Sequence, residues 1–525
     1  MLTSAIAPDA LSKMLESFLA DNPHAVALEN GELLFDFSTA RYSVSGEGKC
    51  VLHIWSEERN AVRRVLDAEL KPRLLRLSVL RFGQSQPTIL EISADRDQRS
   101  ATALRAIRSR YKQVFERVLL REFPGYKLEA ISNRADLEHS CSPVYTRGVL
   151  RQGQLAFAIL GVSAEETQPS IDAALSFGIL WMHRQREQLA NRVHLAGLKL
   201  FAPAGRSEML RQRMAHLDRD AAKWQLYELD ERSETCALLD CEDSGNIVTR
   251  LVRAVDGDAA RARFAGSIGR IRRITTDFET YVESASEIIF RLHGLEFARA
   301  RLAPVAGSFR NAEAITFGLW PAEYTLDESN EAVFRDLVMR LRERRRFDGD
   351  RADPLFRLCP ERWLESLITS DVRAIDERLD PRFVYSQVPA FASADRGMID
   401  VLTCTLDGRL AILELKADED IHLPLQGLDY WARVRWHQRN GGFVRNGYFA
   451  GRELSDAPPL LYLVAPALRT HPATDTLLRY VSPQIQWSVV QVDERWRAGV
   501  RVVNRKHPEN KATADERGLR GSFEG

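Results

Sequence analysis

Lysine is scarce in this chain: of its 73 Lys and Arg residues only ten are lysines, and between Trp224 and Arg505 the only one is Lys416. Where arginine supplies nearly every generic surface charge, a lysine inside an apolar run marks a need for a compact ammonium whose pKa can shift. Chance placement is the plain alternative. Cysteine is also sparse. The six residues Cys50, Cys141, Cys236, Cys241, Cys359 and Cys404 are scattered with no pair at zinc-knuckle spacing, which excludes that kind of metal site and leaves buried or incidental thiols. No window approaches eighteen continuous apolar residues, and the N-terminus lacks a basic segment followed by a long apolar one. The expectation is therefore a soluble, cytoplasmic protein with no membrane partner. There is no excess of either charge, 73 basic residues against 73 acidic ones, so any nucleic-acid-binding surface must be local. A glycine-rich phosphate loop, GxSxG and HExxH are all missing, so the chain is not expected to be its own ATP-driven motor.

A chain of 525 residues, 45% apolar and 28% charged, suggests two to four globular domains of mixed α and β structure. Residues 1–195 read as an α/β domain. Helices are expected over Leu11–Leu19, Glu57–Leu70, Gln98–Arg121 and Ser170–Glu187, with strands over 33–37, 50–55, 74–82, 88–92 and 154–162. The basic face of the third helix (Arg105, Arg108, Lys112, Arg117) is by default solvated. Residues 196–350 form a middle mixed α/β region with short strands near 198–202, 224–229 and 246–255 and helices over 259–292 and 330–346. The charged segment RLRERRRFDGDRADP, with Gly and Pro and no apolar period, marks a boundary near 350. Residues 351–505 form a C-terminal domain ordered helix, three strands, helix, strand, helix, strand, a mixed sheet flanked by helices, and 506–525 read as a disordered tail. An internal similarity runs between GQLAFAILGV… from Gly153 and GRLAILELKA… from Gly408, each with an apolar strand, an acidic turn and a helix bearing Trp. The first copy lacks Glu-x-Lys and a partner Asp. Duplication followed by decay and convergent strand–helix patterning explain it equally well.

The stretch RGMIDVLTCTLDGRLAILELKADEDIHLPLQGLDY, Arg396 to Tyr430, concentrates the chemistry. With Ala411–Lys416 as a strand, Ile412, Glu414 and Lys416 share one face, which places a carboxylate beside an ammonium in a run suited to burial. Burying charge costs several kcal/mol, roughly, unless it is paired or bound, and a functional site supplies such a reason. The turn signal Asp407-Gly408 folds the preceding run back, bringing Asp400 close to the level of Glu414. Two carboxylates and the Leu415 carbonyl then form an oxygen set suited to Mg²⁺ or Mn²⁺, with Lys416 placed to orient a water or to share charge on a phosphate. Gln426 and Tyr430 share a face of the following helix. Arg433, Arg435, Arg439 and Arg445, interleaved with Trp431, Trp436 and Phe443, could hold a phosphate backbone, or could be snorkelling arginines of a half-buried helix.

The ordered set Asp400, Glu414-x-Lys416 and Gln426-x-x-x-Tyr430, with Glu365 on an upstream helix, resembles the PD-(D/E)xK nuclease superfamily, in particular its RecB-type branch. Ile399, not Pro, precedes Asp400. The resemblance covers roughly residues 353–503 and implies a restriction-endonuclease-like fold, metal-dependent phosphodiester hydrolysis, most simply of DNA, and roles in repair or defence. Asp400, Glu414 and Leu415 would hold Mg²⁺, Lys416 would assist the attacking water, and Gln426, Tyr430 and Glu365 would complete the catalytic set. A helicase or repair or defence partner and a homodimer are compatible with this reading. A catalytically inactive scaffold binding nucleic acid or a partner is the alternative.

Overall fold

The computed structural model describes residues 6–508 apart from 23–24, 30–31, 38–39, 47–49, 57–59, 72, 82–86, 95–100, 137–140, 190–192, 243–248, 305–310, 320–323 and 393–394. The chain is a mixed α/β multidomain protein, as the sequence suggests, and its described residues form four sheets. The first is an all-antiparallel seven-stranded sheet within residues 26–93, covered by the helix Pro8–Asp21 through Leu11, Leu15 and Phe18. The helix expected over Glu57–Leu70 is instead a strand, Asn60–Lys71. Its charges are satisfied across strands: Arg63 turns inward to grip Glu29, itself 2% exposed, at 2.9 and 2.7 Å, while Val65 fills the core. Cross-strand pairing overrides helix propensity there.

The second sheet belongs to an α/β unit made of α1 (Ala101–Glu122), β1 (Lys127–Ser132), β2 (Tyr145–Gln152), β3 (Leu155–Val162), α2 (Ala174–Leu189), β4 (His194–Pro203), α3 (Glu208–Met214), β5 (Lys223–Asp230) and β6 (Thr235–Leu239). Its strand order is 1-2-3-4-5-6, with β3, β4 and β5 parallel and the remaining neighbours antiparallel. Position 195, expected as a domain boundary, lies inside β4, which is paired with β3 there and with β5 as well from Gly197. Two runs separated in the sequence reading are thus central neighbours in one sheet.

A middle unit packs a five-stranded antiparallel sheet (residues 279–325) against the helices Gly257–Arg263, Ala265–Arg272 and Glu331–Arg344. The helix expected over 259–292 ends at Arg272, because the β-branched and aromatic residues that follow form the hairpin Glu279–Ser284 with Glu287–Leu292. The charged segment near 350 is a fixed joint: Arg345 is 0% exposed and donates to the carbonyls of His293, Leu355 and Leu358.

The fourth sheet holds the C-terminal unit: α4 (Pro360–Ser370), β7 (Tyr385–Ala392), β8 (Asp395–Cys404), β9 (Leu410–Leu415), α5 (Leu423–Arg439), β10 (Leu460–Pro466), α6 (Ala473–Leu478), β11 (Trp487–Val492) and β12 (Val502–Lys506). Order and directions repeat those of the second sheet. Strands run 7-8-9-10-11-12, the middle three after β8 are parallel, and helices fall at the same places. A short strand, Thr249–Leu251, adds to the edge beside β7. The tail expected from Lys506 falls almost wholly outside the described residues, and Lys506 itself ends β12.

The two α/β units share one hydrophobic core. Helix α2 packs on α6, and α5 packs on α3. Between them Leu217 and Val481, each three residues past its helix end, form an antiparallel bridge. Asp218 N–H donates to the Tyr480 carbonyl at 2.8 Å and Ser482 N–H to the His216 carbonyl at 2.9 Å.

Candidate active site

Strands β8 and β9 pair with Val401 opposite Leu413, so the next step sets Asp400 level with Glu414. Faces divide as the alternation predicts: Leu413 and Leu415 join the core under α4, and Ile412 joins the core under α5. Glu414 on the α5 side is 1% exposed. The Lys416 ammonium lies 3.4 Å from Glu414 and 3.7 Å from Asp420. Asp400 accepts the Leu415 N–H at 2.9 Å and the Gln387 amide at 3.2 Å. Gln387 also donates to Glu365 at 2.8 Å, and Arg362 donates to the same Glu365 oxygen at 2.9 Å. Gln426 reaches the Tyr430 hydroxyl at 3.4 Å.

Both Glu414 carboxylate oxygens are buried without a hydrogen-bond partner, and the Lys416 contact is an ion pair lacking hydrogen-bond geometry. A buried carboxylate with open lone pairs beside a second carboxylate is the donor chemistry that a hard cation satisfies. Burial pushes the Glu414 carboxyl well above its ordinary range, and Asp400 adds to the effect. Burial likewise raises Asp400, opposed by Lys416 and the Leu415 N–H, and it raises Glu365 against the pull of Arg362. For Lys416, burial disfavours the ammonium, but Glu414, Asp400 and Asp420 outweigh it and hold the group above its usual value. Lys416 is thus a fixed cation, suited to donating hydrogen bonds and unsuited to being a base. Burial and the Glu414 charge push the Tyr430 phenol well up, so it stays a neutral donor.

Among the described residues no three His, Cys, Asp or Glu side chains gather at metal-binding distance. Asp400 and Glu414 are a pair, and the expected third carboxylate, Glu365, is reached only through Gln387. Three residues at the site had little signal in sequence: Gln387, Arg362 and Asp420. Gln387 holds a left-handed backbone (φ 52°) in the middle of β7, a strain of about 1–3 kcal/mol that aims its amide between two acids. Nothing local in its sequence marks it.

The arginines expected to touch nucleic acid divide. Arg433 is 1% exposed, donates to the Ala390 carbonyl at 3.1 Å and lies over the Tyr430 ring, so it braces α5 against β7 and is removed from the nucleic-acid set. A Cβ at Gly397 would collide with its guanidinium, which is why the strand carries glycine there. Arg435 bonds Gln438 and the Asp456 carbonyl, both at 2.8 Å, and Arg439 and Arg445 are exposed near the far end of α5 from Gln426. Beside the site, Ala417 and Asp418 open onto a cleft of about 740 Å³ whose rim includes Arg351, Arg357, Arg495 and Arg497.

The α/β unit of residues 101–239 shows what stands at matching positions. Gly178 on α2 lies against Leu198 as Gly427 on α5 lies against Leu461 and Leu463. Leu160 is opposite Arg147 and beside Leu200, and it shares the α2-side core. Leu160 therefore matches Glu414, Arg147 matches Asp400, and Val162 matches Lys416. On the helix Phe177 and Trp181 take the places of Gln426 and Tyr430.

No family model matches the chain, and no curated protein matches it. Among solved structures it is similar to a repair endonuclease from Pyrococcus abyssi, at 13% identity over 40% of this chain and 93% of that one, with a TM-score of 0.16. It is also similar to EndoMS in a complex with double-stranded DNA, at 12% identity over 43% of this chain and 95% of that one, with the same TM-score of 0.16. Likenesses this distant carry no argument about chemistry, which rests on the residues themselves.

Proposed function

We propose that the C-terminal unit is a Mg²⁺-dependent nuclease acting on DNA. The observation that carries this reading is the Glu414 carboxylate, buried with both oxygens open, level with Asp400 and beside Lys416. Asp400, Glu414 and the Leu415 carbonyl would hold the ion, which when bound supplies charge neutralisation and a more acidic water. Asp400 is oriented by the Leu415 N–H and by Gln387, which Glu365 in turn fixes. Lys416, held protonated by its acidic neighbours, donates to the attacking water or to a phosphate oxygen. Hydrolysis bonds the water oxygen to phosphorus and breaks one P–O ester bond. The water gives its proton to solvent and the departing sugar oxygen takes one up. Tyr430 keeps its proton and, with Gln426, fixes the α5 side of the pocket.

The test has two arms. Purified protein with Mg²⁺ or Mn²⁺ should cut single-stranded or duplex DNA, and Asp400→Ala and Lys416→Ala should remove cutting while circular dichroism is unchanged. Independently of activity, Mg²⁺ should raise the melting temperature of the native chain and leave that of Asp400→Ala unmoved, since a ligand at about a hundred times its Kd adds roughly 2.7 kcal/mol. Equal cutting by the variants sinks the reading.

A second reading, a scaffold that binds nucleic acid or a partner, is favoured by one observation: both Asp400 oxygens already have protein donors. DNA binding unchanged by chelator, with no cutting of single-stranded, duplex, branched or RNA substrates, selects it.

A further inference from the structure

The two α/β units are related by a local two-fold axis. The bridge between Leu217 and Val481 is antiparallel, its two hydrogen bonds exchange the residues flanking each partner, and those residues hold matching places after α3 and α6. Packing across the axis is reciprocal: α2 meets α6 and α3 meets α5, each helix touching the counterpart of its own sequence neighbour. One shared core and the ion pair of Arg213 with Asp429, at 2.9 and 2.7 Å with both side chains largely buried, hold the halves as one body. The architecture is that of a symmetric dimer written into a single chain.

Among the described residues only the C-terminal half carries an acid pair at this position. In the other, Arg147 stands in place of Asp400, 6% exposed, with one guanidinium nitrogen lacking any partner, and Leu160 and Val162 replace Glu414 and Lys416. A cation at the acid position repels a divalent ion. The loop after β3 is tied down as well: Arg206 donates to the Ala164 and Glu166 carbonyls at 2.8 and 3.1 Å, and Glu231 takes the Ser163 hydroxyl and Ala164 N–H at 2.8 and 2.6 Å. In the C-terminal half the loop after β9 instead lines the arginine-rimmed cleft through Ala417 and Asp418.

Resting on the nuclease reading above, we propose that this chain is an internal pseudodimer that cuts one strand of duplex DNA per bound molecule, the half from Ala101 to Leu239 serving as a non-catalytic partner. The chemistry is that of a single hydrolysis, one water consumed and one P–O bond broken, so each encounter yields a nick.

Supercoiled plasmid with Mg²⁺ and limiting full-length protein tests this, run beside a labelled single-stranded oligonucleotide. Open circle should be the first product, with linear DNA appearing only after nicks accumulate. Mixing native chain with Asp400→Asn should lower the rate in proportion to the inactive fraction and leave the product ratio unchanged. Linear DNA as a first-formed product, or a mixture that converts linear product to open circle, would show two cooperating sites and overturn the proposal while leaving the nuclease reading intact. Absence of metal-dependent cutting on plasmid and oligonucleotide alike overturns both.

Discussion

The two α/β units use one backbone plan for opposite electrostatic ends. Both place three parallel strands at the centre and pack a glycine-bearing helix on the same face, Gly178 in one and Gly427 in the other. At the matching point of that face one unit buries Leu160 beside Arg147, one of whose guanidinium nitrogens lacks a hydrogen bond, and the other buries Glu414, without a hydrogen bond, beside Asp400 and its ion-pair partner Lys416. One strand order can therefore carry either an apolar or an acidic cluster, because strand order depends on the apolar pattern and the character of the cluster on three or four side chains.

The sharpest break between the units should be in activity. Asp400→Asn is expected to lower the Mg²⁺-dependent rate on a labelled oligonucleotide by about a thousandfold or more, some 4 kcal/mol in barrier. Arg147→Met, at the matching position, should leave that rate within about twofold, a change of under 0.5 kcal/mol.

Stability should respond with opposite signs to exchanging the matched residues. Leu160→Glu should cost about 2–4 kcal/mol in urea melts, because it removes a packed side chain and buries a carboxylate. Glu414→Leu combined with Lys416→Val, which puts the other unit's residues in place of both members of the ion pair, should in metal-free buffer stabilise by about 1–2 kcal/mol, because it removes a buried pair and its desolvation cost together. Destabilisation by the double variant would mean that the pair is well satisfied in solution.

Acid should weaken both α/β units, through His216 in the half from Ala101 to Leu239, whose pKa burial lowers to about 4, and through His437 in the C-terminal unit. His437, 4% exposed, has its pKa lowered to about 4 by burial and by Arg445, and Gln188 takes its place in the other unit. The unfolded chain takes up the proton first, near its ordinary 6.5, so this histidine's contribution is intact above that pH and is lost as pH falls toward 4. The loss is at most about 3 kcal/mol at 1.36 kcal/mol per pH unit, and His437→Gln should flatten the slope of stability against pH in that window.

The smallest effect tests the joint. Arg213→Ala should cost about 1–3 kcal/mol by breaking the largely buried pair with Asp429. It should broaden the thermal transition as the halves begin to melt apart, while Arg211→Ala, whose Glu208 partner is exposed and on the same helix, should change stability by about 0.5 kcal/mol or less.

The C-terminal unit was legible because its signals are local. Glu414 and Lys416 two apart in an apolar run, a tight turn before them, and Gln426 four before Tyr430 fix faces and register without distant information. Failures came where long-range pairing decided. Residues 60–71 carry helix-like charge but are held as a strand by pairing with a neighbour on either side in the first sheet, and 279–292 are claimed by a hairpin. Arg433 reads as a nucleic-acid contact from its neighbours, and only the approach of β7 and Gly397 makes it a buried brace. Gln387 had no sequence signal because its role depends on Glu365 and Asp400 arriving on either side of it.

By itself the sequence determined the alternating faces of the 410–416 strand, the order of the acid, Glu-x-Lys and Gln-x-x-x-Tyr groups, and the similarity of the stretches from Gly153 and Gly408, since period and spacing are properties of the chain. The tertiary structure decided that these two stretches are halves about one axis, and that Arg147 and Asp400 stand at matching points. The first depends on contacts between residues more than two hundred positions apart, such as Leu217 with Val481, and the second on the strand register within each unit, neither of which a local pattern encodes.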